Sequence, residues 1–431
     1  MKKELQAQRS AVASSRFRSW AKKLGPGLIT GAADDDPSGI ATYSQAGAQF
    51  GMNVLWTMFF TYPLMVGIQI VSARIGRVTG KGLAGNIREQ FPAWLLYLIV
   101  GLLVVANTIN IAADVSAMGD AVGLLVGGPT RLYAAGFGML SLVLQVFVPY
   151  RRYVRILKWL TLALLTYVGV VFSVQISWLD VVRAIVMPKV RWDAATITTL
   201  VAVFGTTISP YLFFWQASQE VEELEASPKR QPLTQAPDQA RAGFRRIKID
   251  TYIGMLFSNL VAFFIILTTA VTLHAHGEVN IQTSADAAMA LRPIAGEFAF
   301  LLFAGGIVGT GLLAVPVLAG SAAYATAGAF GWKKGLDHKP MVAKGFYSII
   351  AVSTLVGVAL GFTTIDPIKA LYWSAVINGV ISVPIMAVMM LMAANTKVMG
   401  RFVVTRRLKW LGWMATGAMA VAVVAMFATL D

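Results

Sequence analysis

Three consecutive aspartates, Asp34, Asp35 and Asp36, stand directly before Pro37 in an otherwise apolar run. An aspartate at the centre of a membrane helix costs about 2.5–3.5 kcal/mol on insertion scales, so three in a row cannot all face lipid. A carboxylate kept at such depth implies a positively charged occupant. Asp36, beside the proline, is the first choice as a cation ligand. Asp34 and Asp35 are expected to line the approach, or to sit at the membrane surface if the helix starts later. A competing reading makes Asp36 only the cap of a half-helix beginning near Gly39. A second polar X-Pro step, Ser209-Pro210-Tyr211, follows Gly205-Thr206-Thr207 in another apolar run. Proline lacks the backbone donor, clashes with the preceding turn and biases its predecessor away from helix, so both helices should unwind. Unwound backbone at that depth is tolerated only where it faces protein or a wet cavity.

Other polar groups point the same way. Asp114 lies among apolar neighbours, and Asn107 is seven residues before it, which puts both on one helix face with Asn110 and Ser116 nearby. This stripe reads as an ion path or as support for the ligands. Ser374 and Asn378, at i and i+4, are candidates to turn toward the same cavity. The histidines His274, His276 and His338 fall in expected loops, where none serves a midplane proton relay. The chain has no cysteine, which excludes disulfides, thiolate metal sites and cysteine nucleophiles. There is no phosphate-binding glycine loop and no triad spacing, so no enzyme and no cofactor are expected.

The elements that must carry these groups are membrane helices. The 431 residues are 57% hydrophobic and 13% charged, against about 25% charged in soluble domains. Lipid is the natural solvent of such a chain. Eleven spans are expected, at 26–49, 53–75, 93–126, 131–149, 156–177, 195–220, 250–275, 295–327, 343–362, 366–394 and 409–430. The net charge of +15 does not imply nucleic acid, because Lys and Arg concentrate in alternate loops. Arg74, Arg77, Lys81 and Arg88 fall in one, Arg151, Arg152 and Arg155 in the next, followed by 229–248, 333–344 and 397–409. All lie on the side of the basic N-terminal segment, which places that terminus in the cytoplasm.

The organisation follows. Residues 1–24 form a basic cytoplasmic segment, 25–177 a first five-helix repeat and 178–194 a connection along the outer interface. Residues 195–394 form a second repeat with a flexible cytoplasmic loop at 221–249 containing Pro228, Pro232 and Pro237, and 395–431 hold an eleventh helix. Five is odd, so the second repeat is inverted in the membrane. The two breaks then occupy equivalent places, and paired interrupted helices are the best sequence pointer to a transporter's substrate site.

Several motifs resemble the Nramp divalent-metal transporters. They are Gly25-Pro26-Gly27, Asp36-Pro37, Gly47-Ala48-Gln49-Phe50-Gly51, Thr79-Gly80-Lys81-Gly82-Leu83-Ala84 and the run from Gly309 to Ser321. The resemblance covers nearly all spans. It implies an all-α membrane protein with the LeuT-type fold of the amino acid–polyamine–cation superfamily, working by alternating access. It also implies that Asp36 is the metal-binding aspartate and that the Ala33 and Thr206 carbonyls are backbone ligands. The binding motifs depart from the family. Its asparagine is Gly39 here, its methionine is Ser209, and its histidines are Tyr211 and Gln216. Asp114 matches a proton-path aspartate, while two glutamates near it become Asn107 and Ala117.

These departures carry chemistry. A thioether favours softer transition metals, and a hydroxyl at Ser209 removes that preference. Glycine for asparagine removes an oxygen ligand and makes room for water. One carboxylate, carbonyls, a hydroxyl and several waters suit Mg²⁺, which dehydrates reluctantly, as in the Nramp-related magnesium transporters that this pattern resembles. The lost histidines and glutamates remove most of the groups that proton symport in the family uses, and uptake could then run down the electrical gradient. The expectation is a secondary-type transporter of a hard divalent cation, Mg²⁺ first and Mn²⁺ second. It would lie in a lipid bilayer, that of a bacterial inner membrane, with the small cation as its partner. A second reading keeps the fold but carries an organic cation or amino acid, with Asp36 pairing an amine and Tyr211, Phe213 or Trp215 giving cation–π contact. A third is a non-transporting membrane sensor.

Overall fold

The computed structural model describes residues 26–148, 164–173, 176–227, 229–281, 283–363 and 366–429. The basic segment 1–24, Arg151, Arg152 and Arg155, Pro228 and the first part of the fifth expected span lie outside them. The described residues form helices α1 (Pro26–Asp34), α2 (Pro37–Phe50), α3 (Trp56–Thr79), α4 (Leu83–Gln90), α5 (Ala93–Val126) and α6 (Thr130–Phe147). Then come α7 (Leu165–Ser173), α8 (Trp178–Val186), α9 (Ala194–Thr207), α10 (Pro210–Glu225), α11 (Ala240–Thr272), α12 (Ser284–Met289) and α13 (Arg292–Ala295). The chain continues through α14 (Ala299–Phe330), α15 (Lys344–Leu360), α16 (Pro367–Ala394), α17 (Thr396–Met399) and α18 (Arg406–Thr429).

Among the described residues, eight helical segments are long and apolar enough to cross a membrane unaided: α3, α5, α6, the α9–α10 pair, α11 with its flanks, α14, α16 and α18. Three of the eleven expected spans differ for visible reasons. The first is cut into α1 and α2, α7 begins beside residues outside the described set, and α15 has 17 residues. On α8, Trp178, Leu179, Val182 and Val186 are exposed while Val181 is buried, which gives a helix with one wide apolar face.

Both interruptions have the same local cause. α1 stops at Asp34 and α2 restarts with Pro37 at its first position, where a missing N–H costs nothing. Asp36 is extended there, at φ −72° and ψ 171°. α9 stops at Thr207, and α10 restarts with Pro210 behind an extended Ser209.

The broken spans are gripped by their neighbours. α1 packs on α11, α2 on α11 and α16, α9 on α16, and α10 on α3 and α14, while α14 lies along α5. Glycine sets the closest of these approaches. A Cβ at Gly31 would stand 2.3 Å from the Gly254 carbonyl oxygen, so α1 and α11 touch backbone to backbone. A Cβ at Gly76 would stand 2.3 Å from the Ala217 carbonyl oxygen, which gives α3 and α10 the same kind of contact. The first span thus rests on the seventh and the sixth on the second, the exchange that two related halves produce.

The connection expected to be long and flexible over 221–249 is corrected by the structure. α10 runs to Glu225 and α11 begins at Ala240, because the polar residues at the two ends of this stretch stay helical through buried partners. What remains is pinned. The N–H groups of Leu233 and Thr234 donate to the carbonyls of Arg77 and Val78, each at 3.3 Å. The Arg77 guanidinium donates to the Gln231 carbonyl and to Gln239 Oε1, both at 3.0 Å.

Candidate cation site at the broken helices

Asp36 sits where the two interrupted spans cross. Its Oδ1 accepts the Gly39 N–H at 2.7 Å and so caps α2. Its Oδ2 faces the other way, accepting from Asn110 Nδ2 and from the Tyr211 hydroxyl, both at 3.2 Å. Capping and cation binding are therefore compatible, since each uses a different oxygen. The Tyr211 hydroxyl also lies 3.1 Å from the Ala33 carbonyl oxygen, bridging the end of α1 to Asp36. With one hydrogen, it satisfies one of these acceptors at a time.

The second break contributes carbonyls. Ser209 Oγ lies 2.9 Å from the Gly205 carbonyl oxygen and 2.7 Å from that of Thr206, so its hydroxyl donates back onto the end of α9. Ser209 gives no side-chain cap to α10. The C-terminal ends of α1 and α9 both bring partial negative charge to the crossing. A Cβ at Gly39 would stand 3.2 Å from Thr206 Oγ1, so the glycine holds the two breaks close together. Tyr43 hydroxyl and Thr207 Oγ1, 3.0 Å apart, link α2 to α9 beside it.

The supporting groups come from α5 and α16. Ser374 Oγ lies 2.8 Å from Asn110 Oδ1 and 3.3 Å from Ser38 Oγ, which orients the amide that reaches Asp36. The polar stripe on α5 is present, but Asn110 touches Asp36 rather than Asn107 or Asp114. Asn107 donates to the Leu318 carbonyl at 2.8 Å, and Asp114 is fully buried with no hydrogen bond on either carboxylate oxygen. Asn378 is buried with its Oδ1 unpartnered, and Gln216 donates to Thr251 Oγ1 at 3.1 Å. Asp34 and Asp35 are at the centre of the fold, 1% and 2% exposed, and not at a surface. Ser258 on α11 lies between them, with its Oγ 2.5 Å from Asp34 Oδ2 and 3.1 Å from Asp35 Oδ1.

Two residues escaped the sequence reading. Ser258 is a lone serine in an apolar span, four residues after Gly254, and only the close α1–α11 approach gives it meaning. Tyr43 sits one turn past Gly39 and shows no signal without its partner. Of the aromatic residues considered for cation–π contact, two have partners of their own. Tyr211 presents its hydroxyl, and Trp215 lies edge-on to Tyr324 with ring centroids 6.0 Å apart.

Asp36 itself is buried, at 2% exposure. Toward the ends of α2 and α9 a cavity of about 400 Å³ is lined by Gln45, Gln49, Thr198, Thr199, Lys369 and Tyr372. Thr199 and Tyr372 meet hydroxyl to hydroxyl at 2.9 Å on its wall. Toward the far end of α10, Glu222 accepts from the Tyr324 hydroxyl and, at 2.6 Å, from the Leu336 N–H. Arg246 pairs with Glu220 and, at 3.1 Å, with Glu223. Lys334, in the same loop as Leu336, packs against Gly82, Gly85 and Gly328, and burial pushes its ammonium pKa down against the pull of Glu225. Among the described residues, no three His, Cys, Asp or Glu side chains converge as a conventional metal cluster.

Comparisons with known proteins agree with this fold. A family model described as natural resistance-associated macrophage protein-like (Nramp) matches residues 27–429. The chain is 25% identical over 399 residues to the divalent metal cation transporter MntH of Klebsiella pneumoniae, covering 90% of each chain. It is 28% identical over 302 residues to MntH of Erwinia tasmaniensis, covering 67% of this chain and 68% of that one. Among solved structures, a mutant of the Eremococcus coleocola manganese transporter superposes with a TM-score of 0.76 at 16% identity, over 95% of this chain and 87% of that one. MhsT in complex with L-phenylalanine gives 0.57 at 13% identity, over 94% and 98%. These likenesses show the LeuT-type fold of a multi-pass integral membrane protein. With a matching family model over almost the whole length and two interrupted helices meeting at Asp36, this chain belongs to the Nramp family.

Proposed function

We propose that the chain is a secondary-type transporter of a hard divalent cation, Mg²⁺ first and Mn²⁺ second, working by alternating access in a bacterial plasma membrane with its N-terminus in the cytoplasm. The observation that carries the reading is the ligand set at the crossing. Asp36 Oδ2 is held there by neutral hydroxyl and amide donors, with backbone carbonyls from two helix ends nearby. Every oxygen of this set is hard, and neither sulfur nor imidazole takes part. Such a set suits an ion that keeps part of its water shell. The named activities of the MntH relatives support divalent cation transport. The cavity at the ends of α2 and α9 serves as the outer vestibule, and the Glu222 and Arg246 contacts close the inner side.

Uptake runs down the electrical gradient, worth about 2.3 kcal/mol per charge per 100 mV. Tyr211 and Gln216 supply no imidazole to carry a proton, which supports transport without proton coupling although Asp114 keeps the place of a proton-path aspartate. The deciding experiment is uptake into proteoliposomes from Mg²⁺, Mn²⁺, Ca²⁺ and a panel of amines, with internal pH recorded. Saturable Mg²⁺ uptake without acidification is the expected result. Amine uptake with no divalent flux would overturn the reading, and acidification in step with Mg²⁺ would remove the uncoupled mechanism.

A further inference from the structure

We infer that Asp34, Asp35 and Ser258 form a second cation station, separate from Asp36, on which a divalent cation rests on its way to the inner side. The inference deepens the function proposed above and rests on it.

A count of donors separates the two places. Asp36 receives an N–H, an amide N–H and a hydroxyl. Asp34 and Asp35 together present four carboxylate oxygens, and the hydroxyl of Ser258 has one hydrogen to give. That hydroxyl faces one oxygen of each residue, at 2.5 and 3.1 Å. The other two, Asp34 Oδ1 and Asp35 Oδ2, are buried with no hydrogen-bond partner. Among the described residues, no Lys, Arg or His forms an ion pair with either carboxylate. Two buried carboxylates left short of positive charge are stabilised by a cation that comes to rest between them. Hard oxygen ligands from two carboxylates and a hydroxyl, at the carbonyl end of α1, are the chemistry of a divalent cation site.

A second observation, outside the acidic pair, marks where the ion goes next. Gln216 is fully buried and its Oε1 has no partner, while its amide nitrogen is anchored on Thr251. Thr251 lies seven residues before Ser258, on the same face of α11. Successive contacts fix the order along this face. Gly27 lies against Thr251, Gly31 against Gly254, and Asp34 and Asp35 against Ser258. The polar groups therefore descend from Asp36 through the acidic pair to Gln216, toward the Glu220 end of α10.

The test uses the purified full chain with Mn²⁺ as probe, read by electron paramagnetic resonance and calorimetry. Asp36→Ala should still bind one Mn²⁺, about tenfold or more weaker than the unaltered chain. Adding Asp34→Asn with Asp35→Asn should abolish that residual binding. Ser258→Ala, a milder change, should weaken it about tenfold in the same background, as loss of one ligand to a charge predicts. It should also slow Mn²⁺ uptake by the otherwise unaltered chain without changing KM. An Asp36→Ala chain that is folded but binds no Mn²⁺, or residual binding unaffected by Ser258→Ala, would overturn the station while leaving the proposed function standing. A wild-type chain that neither binds nor carries Mn²⁺ or Mg²⁺ would remove the parent reading instead.

Discussion

The hydroxyl of Tyr211 lies 3.2 Å from Oδ2 of Asp36, joining the start of the second half of the sixth span to the break in the first. One hydrogen bond thus spans both interruptions, at the place where the proposed cation must enter. An arriving cation competes with this hydroxyl for the same oxygen.

Tyr211→Phe removes that competitor and keeps the ring. The Ala33 carbonyl and Asp36 Oδ2 then lose a shared donor, which costs about 1–3 kcal/mol in the empty protein. The expected outcome is a lower melting temperature without ion, a larger stabilisation by Mg²⁺, and a KM for Mg²⁺ reduced several-fold. Thermal unfolding with and without Mg²⁺, beside uptake kinetics, measures all three. An unchanged Mg²⁺ stabilisation would show that the hydroxyl does not compete.

Asp36→Ala abolishes uptake of every ion and also loses the cap on α2, worth about 0.5–2 kcal/mol. Asp36→Asn separates the two roles. Asparagine caps as well as aspartate, so stability stays near that of the unaltered chain while transport is lost. Normal Mg²⁺ uptake by the Asn variant would exclude the carboxylate charge from the site.

Ser209→Met combined with Gly39→Asn restores a thioether and an amide oxygen, and shifts preference toward Mn²⁺. The ratio of kcat/KM for Mn²⁺ over Mg²⁺ should rise about tenfold, a change of about 1.4 kcal/mol. The asparagine must displace neighbours slightly, because its Cβ would lie 3.2 Å from Thr206 Oγ1 and 3.4 Å from the Tyr43 ring. Competition assays with both ions decide the matter, and an unaltered ratio would mean that ligand softness does not set selectivity here.

Glu222→Ala removes the acceptor shared by Tyr324 and the Leu336 N–H. The loop around Leu336 should then exchange its amide hydrogens faster, while amides near Asp36 stay protected. Hydrogen exchange read by mass spectrometry distinguishes this from global loosening, in which both regions would speed up together.

Much of this arrangement was legible in the sequence, and the division follows locality. Pro37 and Pro210 break their helices through their own covalent geometry, so the two breaks needed no knowledge of neighbours. Burying Asp36 is costly wherever the helix lies, so it marked itself. The pairing of Asn110 with Asp36, the role of Ser374 in turning it, and the position of Ser258 depend on which helices cross, which spacing along one helix does not encode. The segment 221–225 read as loop because of its charges. It remains helical because Glu220, Glu222 and Glu223 find Arg246, Tyr324 and Leu336 on other elements.

The contact between Gly31 and Gly254 bears on motion as well as packing. At this point two bare backbones meet, flanked by the hydrogen bonds of Gly27 to Asp250 and of Ser258 to Asp34 and Asp35. The first half of the broken span can then pivot about this contact against the seventh helix once those flanking hydrogen bonds exchange. A single methyl group at Gly31 would jam that pivot, arresting the molecule in one orientation even where the fold survives.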